Sequence, residues 1–272
     1  MFRRQLSLSA RSVSLIRAAW LSILIVATGG AVALFLMDRA EQKEFETLVT
    51  EARADALAVE SENDVLSIMS TVNRRLKRIH LPDQPASGET TEVSIRSSHD
   101  HLLAPTGACA SYSHVLAKAL MTAGYDVRKV GLGKDGKLAI HHVIEARIGP
   151  SWVLLDAFYN QAFRAKDGHL AGASSVHGDW NWYRQQVVAD YDQRFDYSTY
   201  YYTNWARIPV VGWVVKSWPS LHAWLHEHRV SVRFWFFNTY RWLAFLCFML
   251  AIVAVWALRR MVRAAGAFRR VG

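Results

Sequence analysis

Gly107-Ala108-Cys109-Ala110-Ser111-Tyr112 opens a helix, and two strand segments follow it, His141-His142-Val143-Ile144-Glu145 and Trp152-Val153-Leu154-Leu155-Asp156. A thiol, an imidazole and a carboxylate in this order are the parts of a nucleophilic triad. The thiolate attacks a carbonyl, the imidazole moves the proton, and the carboxylate orients the imidazole. Pro105-Thr106-Gly107 reads as a turn. After it, Val115, Leu116, Ala119, Leu120 and Ala123 recur at helical spacing, and Gly124 is a natural stop. Cys109 therefore falls in the first helical turn, where unpaired backbone N–H groups and the helix dipole favour a thiolate. A small Cys packed under a helix is the competing reading of the position alone.

Working outward, Val127–Leu132 predicts a strand and Lys134-Asp135-Gly136-Lys137 a tight hairpin turn. Leu138–Ile148 predicts a second strand closed by Gly149-Pro150, and Trp152–Asp156 a third. Strand alternation puts His141, Val143 and Glu145 on one face and His142, Ile144 and Ala146 on the other. Only one His of the pair can turn its side chain to Cys109.

Together the three motifs resemble the transglutaminase-like superfamily, which has a papain-like fold. That family carries Gly-x-Cys at a helix start, His-x-aromatic-x-Glu on a strand, and a Trp-containing strand ending in Asp. The resemblance covers residues 105–159, a minority of the chain. It implies an α+β domain with Cys109 on a helix N-terminus packed against an antiparallel sheet. The family's His-to-Glu spacing selects His141 over His142, so the implied catalytic residues are Cys109, His141 and Asp156. The implied chemistry is hydrolysis or transfer of an amide acyl group through a thioester on Cys109, without cofactor or metal. Two positions depart from the pattern: Val143 stands where the family usually has an aromatic, and Ala157 where it often has Pro or Ser. A reading from a different class is a non-catalytic module that keeps the cleft for binding or scaffolding in an envelope complex.

The ends of the chain place this domain. Ala18–Met37 is an uncharged apolar run of twenty residues, and Trp242–Leu258 is a second, slightly shorter one. Phe234–Tyr240 precedes the latter with aromatics suited to a membrane interface, and Arg241 needs a partner or must snorkel. Residues 1–17 carry Arg3, Arg4, Arg11 and Arg17, residues 259–272 carry Arg259, Arg260, Arg263, Arg269 and Arg270, and neither tail has an acid. These nine charges account for the whole net charge of +9, since the other 23 basic residues balance 23 acidic ones. The basic balance is thus a property of two membrane-flanking tails and gives no reason to expect nucleic acid. It predicts cytoplasmic termini and an exported centre, periplasmic in a bacterium with an inner membrane. Ala31-Val32-Ala33 matches a signal-peptidase pattern, but Leu34–Met37 continue the apolar run, so an uncleaved anchor is expected.

The expected organisation is a basic tail (1–17), a span (18–37), a stalk and helical subdomain (38–92), the transglutaminase-like domain (93–210), an aromatic membrane-proximal segment (211–241), a second span (242–258) and a basic tail (259–272). Phe45, Leu48, Ala52, Ala56 and Val59 give the stalk its helical period. Val65, Ile68, Met69, Val72, Leu76 and Ile79 mark a stronger amphipathic helix, with Ser61 or Asn63 as its cap and Arg74, Arg75, Lys77 and Arg78 as a solvated basic end. The chain has two cysteines, and Cys247 lies in the second apolar run, which leaves Cys109 unpaired in an exported domain. His99-Asp100-His101 has the spacing of half a metal site but lacks evident further ligands, so it is expected to line the cleft instead. The aromatics from Trp180 to Trp205 are expected mainly to cover the sheet or meet the membrane surface, with a peptide or sugar groove as the alternative. Trp213, Trp218 and Trp224 fit the membrane interface. The expected partners are membrane lipid and an envelope peptide or protein substrate.

Overall fold

A computed structural model describes residues 10–54, 61–79, 97–103, 108–133, 140–192, 194–195, 197, 199–202, 211–227 and 238–268. The chain divides into two units, Met1–Ala40 with Tyr240–Gly272, and Glu41–Thr239. The larger unit is an α+β domain. Its helices are the end of α1 (Ala10–Ala54), then α2 (Ser61–Ile79), α3 (Ser98–Leu103) and α4 (Ala108–Thr122). The strands β1 (Val127–Leu132), β2 (His141–Ile148), β3 (Ser151–Asp156), β4 (Gln161–Ala162) and β5 (Tyr200–Tyr201) form one antiparallel sheet in the order β4-β3-β2-β1-β5. Short helices α5 (Ala173–Gly178) and α6 (Trp180–Tyr183) precede β5, and α7 (Val211–Ser217) and α8 (Pro219–Glu227) follow it.

The helix carrying Cys109 ends as its sequence dictates. Gly124 takes φ +96°, which its missing Cβ allows. Gly124 N–H donates to Met121 O at 3.1 Å and Tyr125 N–H to Leu120 O at 3.0 Å, the two bonds of a Schellman cap. The chain then turns directly into β1. The expected hairpin turn at Lys134–Lys137 and the turn at Pro105–Gly107 lie outside the described residues. Even so, β1 and β2 pair in an unbroken antiparallel register from Leu132↔His141 to Val127↔Ala146. Gly149-Pro150 joins β2 to β3 with Ile148 opposite Ser151, and Gly149 supplies the positive φ (+56°) that Pro150 cannot.

Because side chains alternate along each strand, the sheet has two chemically different faces. Ile144, Ala146, Val153 and Leu155 join an aliphatic core with Val115, Leu116, Ala119 and Leu120 of α4 and Val65, Ile68, Val72 and Leu76 of α2. Val130, Leu132, Val143 and Leu154 face the other way, into a core closed by Phe163, Tyr183, Tyr191 and Tyr197. The aromatics of residues 177–202 are thus mainly a covering layer for the sheet, as the plainer of the two expectations had it. Trp182 remains exposed, and Trp205 lies outside the described residues.

One expectation is corrected. Residues 41–54 are not a free stalk: Phe45, Leu48 and Ala52 have no exposed surface and belong to the aliphatic core. Ala56 and Val59 lie outside the described residues. Two charge contacts fix this stretch in the domain. Arg53 grips Asp64 of α2 through two hydrogen bonds of 3.0 and 2.8 Å, and Tyr125 OH donates to the same carboxylate at 2.7 Å. Glu41 pairs with Lys118 of α4 at 3.3 Å with both side chains buried, and Lys118 Nζ also donates to Asn238 at 3.0 Å. The basic end of α2 is a solvated face, with Arg74, Lys77 and Arg78 exposed.

The smaller unit holds the rest of α1 and helix α9 (Thr239–Phe268). Both helices are long and apolar enough to cross a membrane, over Val13–Ala54 and Thr239–Ala264. Ala27, Ala251 and Ala254 are their buried apolar residues, small side chains of the kind that let membrane helices approach. Arg241 has a partner: its Nη2 lies 3.2 Å from Oδ2 of Asp38, whose side chain is buried. The pair neutralises both charges where an unpaired one would be costly in a low-dielectric setting.

Candidate active site

Cys109 is the second residue of α4, His141 the first of β2, and Asp156 the last of β3. The antiparallel pairing of β2 with β3 sets the start of one beside the end of the other, since Ile144 is opposite Leu155. His141 Nε2 donates to Asp156 Oδ2 at 2.6 Å, with the two side chains 0% and 1% exposed. At this length and burial it is a charge-assisted hydrogen bond that fixes the ring. The second carboxylate oxygen, Oδ1, accepts the backbone N–H of Phe158 at 3.1 Å and of Tyr159 at 3.4 Å. These bonds hold Asp156 in one orientation.

The ring has a further support that the sequence motifs do not contain. Phe195 stacks on His141 with centroids 4.3 Å apart and planes within 9°. Tyr159 and Phe158 contact the imidazole from other sides, with centroids at 5.9 and 6.3 Å. Nδ1 is buried and makes no aligned hydrogen bond among the described residues. The Cys109 thiol and the ring nevertheless act on each other. Burial pushes the thiol pKa up, but its interaction with His141 outweighs this, aided by the Lys129 charge and a backbone hydrogen bond from His142, and the thiol lies below its ordinary value. Burial pushes the imidazole down, but Asp156 outweighs it with help from Cys109, and His141 is raised to about 9. The two shifts act in the direction of a thiolate–imidazolium pair.

His142 illustrates what strand alternation does. Its side chain shares the face of Ile144 and Ala146, the helix-packed side of the sheet, and its route to Cys109 is the backbone. The structure thus brings Cys109, His141 and Asp156 together and assigns His142 a different relation to the thiol. Lys129 and Phe195 were not singled out by sequence. Lys129 is a buried cation in a strand where Arg128 beside it is also charged, so no alternation marked either. Phe195 was one aromatic among many.

Glu145, the last residue of the His141–Glu145 motif, is buried and structural in its contacts. It accepts from Arg128 Nε at 2.6 Å, Tyr202 OH at 2.8 Å and Ala173 N–H at 2.8 Å. Arg128 lies between the rings of Trp152 (4.0 Å) and Tyr202 (4.8 Å), a cation–π sandwich that seats the ion pair. Gly172 makes this packing possible: a Cβ there would stand 2.5 Å from Trp152 O and 3.2 Å from Glu145 Oε1. This network ties β1, β2, β3, α5 and Tyr202 together.

The His99-Asp100-His101 segment makes contacts of its own. His99 Nδ1 meets Glu44 at 2.5 Å, Asp100 accepts from Ser97 N–H at 2.9 Å, and His101 Nδ1 meets Ser111 Oγ at 3.1 Å. Among the described residues no group of three or more His, Cys, Asp or Glu is placed to hold a metal ion. A groove of about 520 Å³ lies away from the triad, lined by Glu62, Arg164, His169 and neighbours. Its carboxylate is already engaged, accepting from Leu170 N–H at 3.1 Å and lying 3.6 Å from Arg164. Comparison of the chain with protein-family models, with curated proteins and with solved structures finds no match.

Proposed function

We propose that this protein is a membrane-anchored, transglutaminase-like cysteine enzyme with a papain-like domain, which cleaves or transfers an amide acyl group of an envelope peptide or protein. The observation that carries the reading is the buried 2.6 Å His141–Asp156 bond on a ring whose partner thiol is shifted toward thiolate. In the proposed reaction the Cys109 thiolate attacks the amide carbonyl carbon and a C–S bond forms. The C–N bond breaks as His141 donates its proton to the leaving amine, giving a thioester. His141 then takes a proton from water or an acceptor amine. That nucleophile attacks the thioester, the C–S bond breaks, and the thiolate returns. Asp156 stays charged throughout and stabilises the imidazolium. Cys109 is partly exposed while His141 is fully covered, so substrate approaches from the sulfur side.

The anchoring reading rests on two helices of spanning length and on arginine-rich, acid-free tails at both ends. It puts both termini in the cytoplasm and Glu41–Thr239 on the outer side of the cytoplasmic membrane.

The direct test is labelling of Cys109 by a mild thiol electrophile across pH in the detergent-purified chain. Reaction well below the ordinary thiol range (pKa about 8.5), lost in His141→Ala and kept in His142→Ala, is the expected result. A free-thiol profile in every variant overturns the activated nucleophile. Should labelling be activated while Cys109→Ala keeps the cellular function, the domain is a binding module instead.

A further inference from the structure

The domain carries an apolar surface that its own core does not use. α7 and α8 are joined through Trp218 alone, whose N–H donates to Val215 O at 3.3 Å. Val215 is buried, whereas Trp213, Trp218 and Trp224 are 74%, 61% and 50% exposed. Three indoles within twelve residues of sequence make a costly surface in water. Indole is the side chain most at home at the headgroup level of a bilayer, with an apolar body and one N–H donor.

Charge narrows the choice of partner. From residue 203 to residue 237 the sequence has Arg207, Lys216, Arg229 and Arg233 against one acid, Glu227. Such a segment complements an anionic surface. Chain length narrows it further. Eleven residues separate α8 from α9, a reach of at most about 40 Å when fully extended. Because α9 is of spanning length, this tether keeps α8 within reach of the bilayer.

We infer that α7–α8 is an interfacial element that docks on an anionic phospholipid surface, with Trp213, Trp218 and Trp224 at headgroup depth. The inference rests on α9 spanning the membrane and is independent of the Cys109 chemistry.

The test uses the full chain in phosphatidylcholine vesicles with and without phosphatidylglycerol. The emission of Trp213→Phe/Trp218→Phe/Trp224→Phe is subtracted from that of the wild type, and the difference reports these three indoles. The expected difference spectrum is blue-shifted, quenched by bromine-labelled lipid, shielded from acrylamide, and more strongly quenched when phosphatidylglycerol is present. Emission that acrylamide quenches and brominated lipid does not overturns the docking. Equal lipid quenching with and without phosphatidylglycerol overturns the anionic surface. Shielding from both quenchers, with a change of oligomeric state in the triple variant, assigns the patch to a second copy and also overturns it. If the triple variant does not fold, the three single Trp→Phe variants are read in the same way.

Discussion

The two faces of the sheet are built differently, and the candidate site depends on the difference. One face is aliphatic and packs on α4 and α2; the other is aromatic and is closed by residues that follow the last long strand. The aliphatic side holds α4, and so Cys109, in place. The aromatic side holds His141, through Asp156, Phe195 and Tyr159. Each face also buries a charge pair. Lys118–Glu41 is a tie between helices: Lys118 also donates to Asn238, and Glu41 Oε1 accepts the backbone N–H of His99. His141–Asp156 has the same depth but leaves Nδ1 without an aligned bond. Burial alone therefore does not distinguish the two pairs; the contact of the imidazole with a thiol whose pKa it lowers does.

The largest effects should fall on the reactive pair. Cys109→Ala is expected to abolish amide turnover. Asp156→Asn should lower it by about 10⁴-fold by leaving the imidazole in the wrong tautomer, whereas His142→Ala should change it little. Comparable losses in His141→Ala and His142→Ala, by turnover or by labelling rate, would break the assignment of the two histidines to different faces.

The structural pair should answer in stability instead. Lys118→Ala leaves Glu41 charged and buried, and a loss of about 3–5 kcal/mol is expected in chemical denaturation. If Lys118→Ala unfolds no more readily than wild type, the tie between α1 and α4 contributes nothing. A smaller loss, about 1–3 kcal/mol, is expected for Gly172→Ala, because the new methyl meets the Trp152 carbonyl.

The smallest effect is a slope with pH. In the wild type, folding lowers the pKa of Cys109 and raises that of His141, and the two shifts act in opposite directions on the pH dependence of stability. Cys109→Ala exposes the histidine. Asp156 still raises its pKa in the folded state, so folding retains a proton that the unfolded chain releases. The contribution is full below the ordinary imidazole pKa, about 6.5, and is lost as pH rises through the raised value. Unfolding of Cys109→Ala measured from pH 6 to 10 should therefore show stability falling with pH, and Cys109→Ala/His141→Gln should lose that trend.

Cys109 and Asp156 were legible because each sits at an element boundary that local chemistry marks: a helix start, and a strand end after a Gly-Pro turn. His141 was separable from His142 because a strand has period two. Phe45 and Leu48 were misread as part of a stalk, since their helical period is the same whether they meet solvent, lipid or a core. Phe195 was lost among similar aromatics because stacking depends on where a loop returns, over 50 residues after His141.

The sequence by itself determined the order of helix and strands, the two apolar runs with their arginine tails, and which three side chains to look for together. These follow from periodicity, length and charge, which are local properties of the chain. Only the tertiary structure decided that α1 enters the domain core, that Arg241 meets Asp38, and that Phe195 covers the imidazole. Each of these joins residues far apart in sequence, and the energy that selects such a contact comes from burial and pairing once the chain has closed on itself.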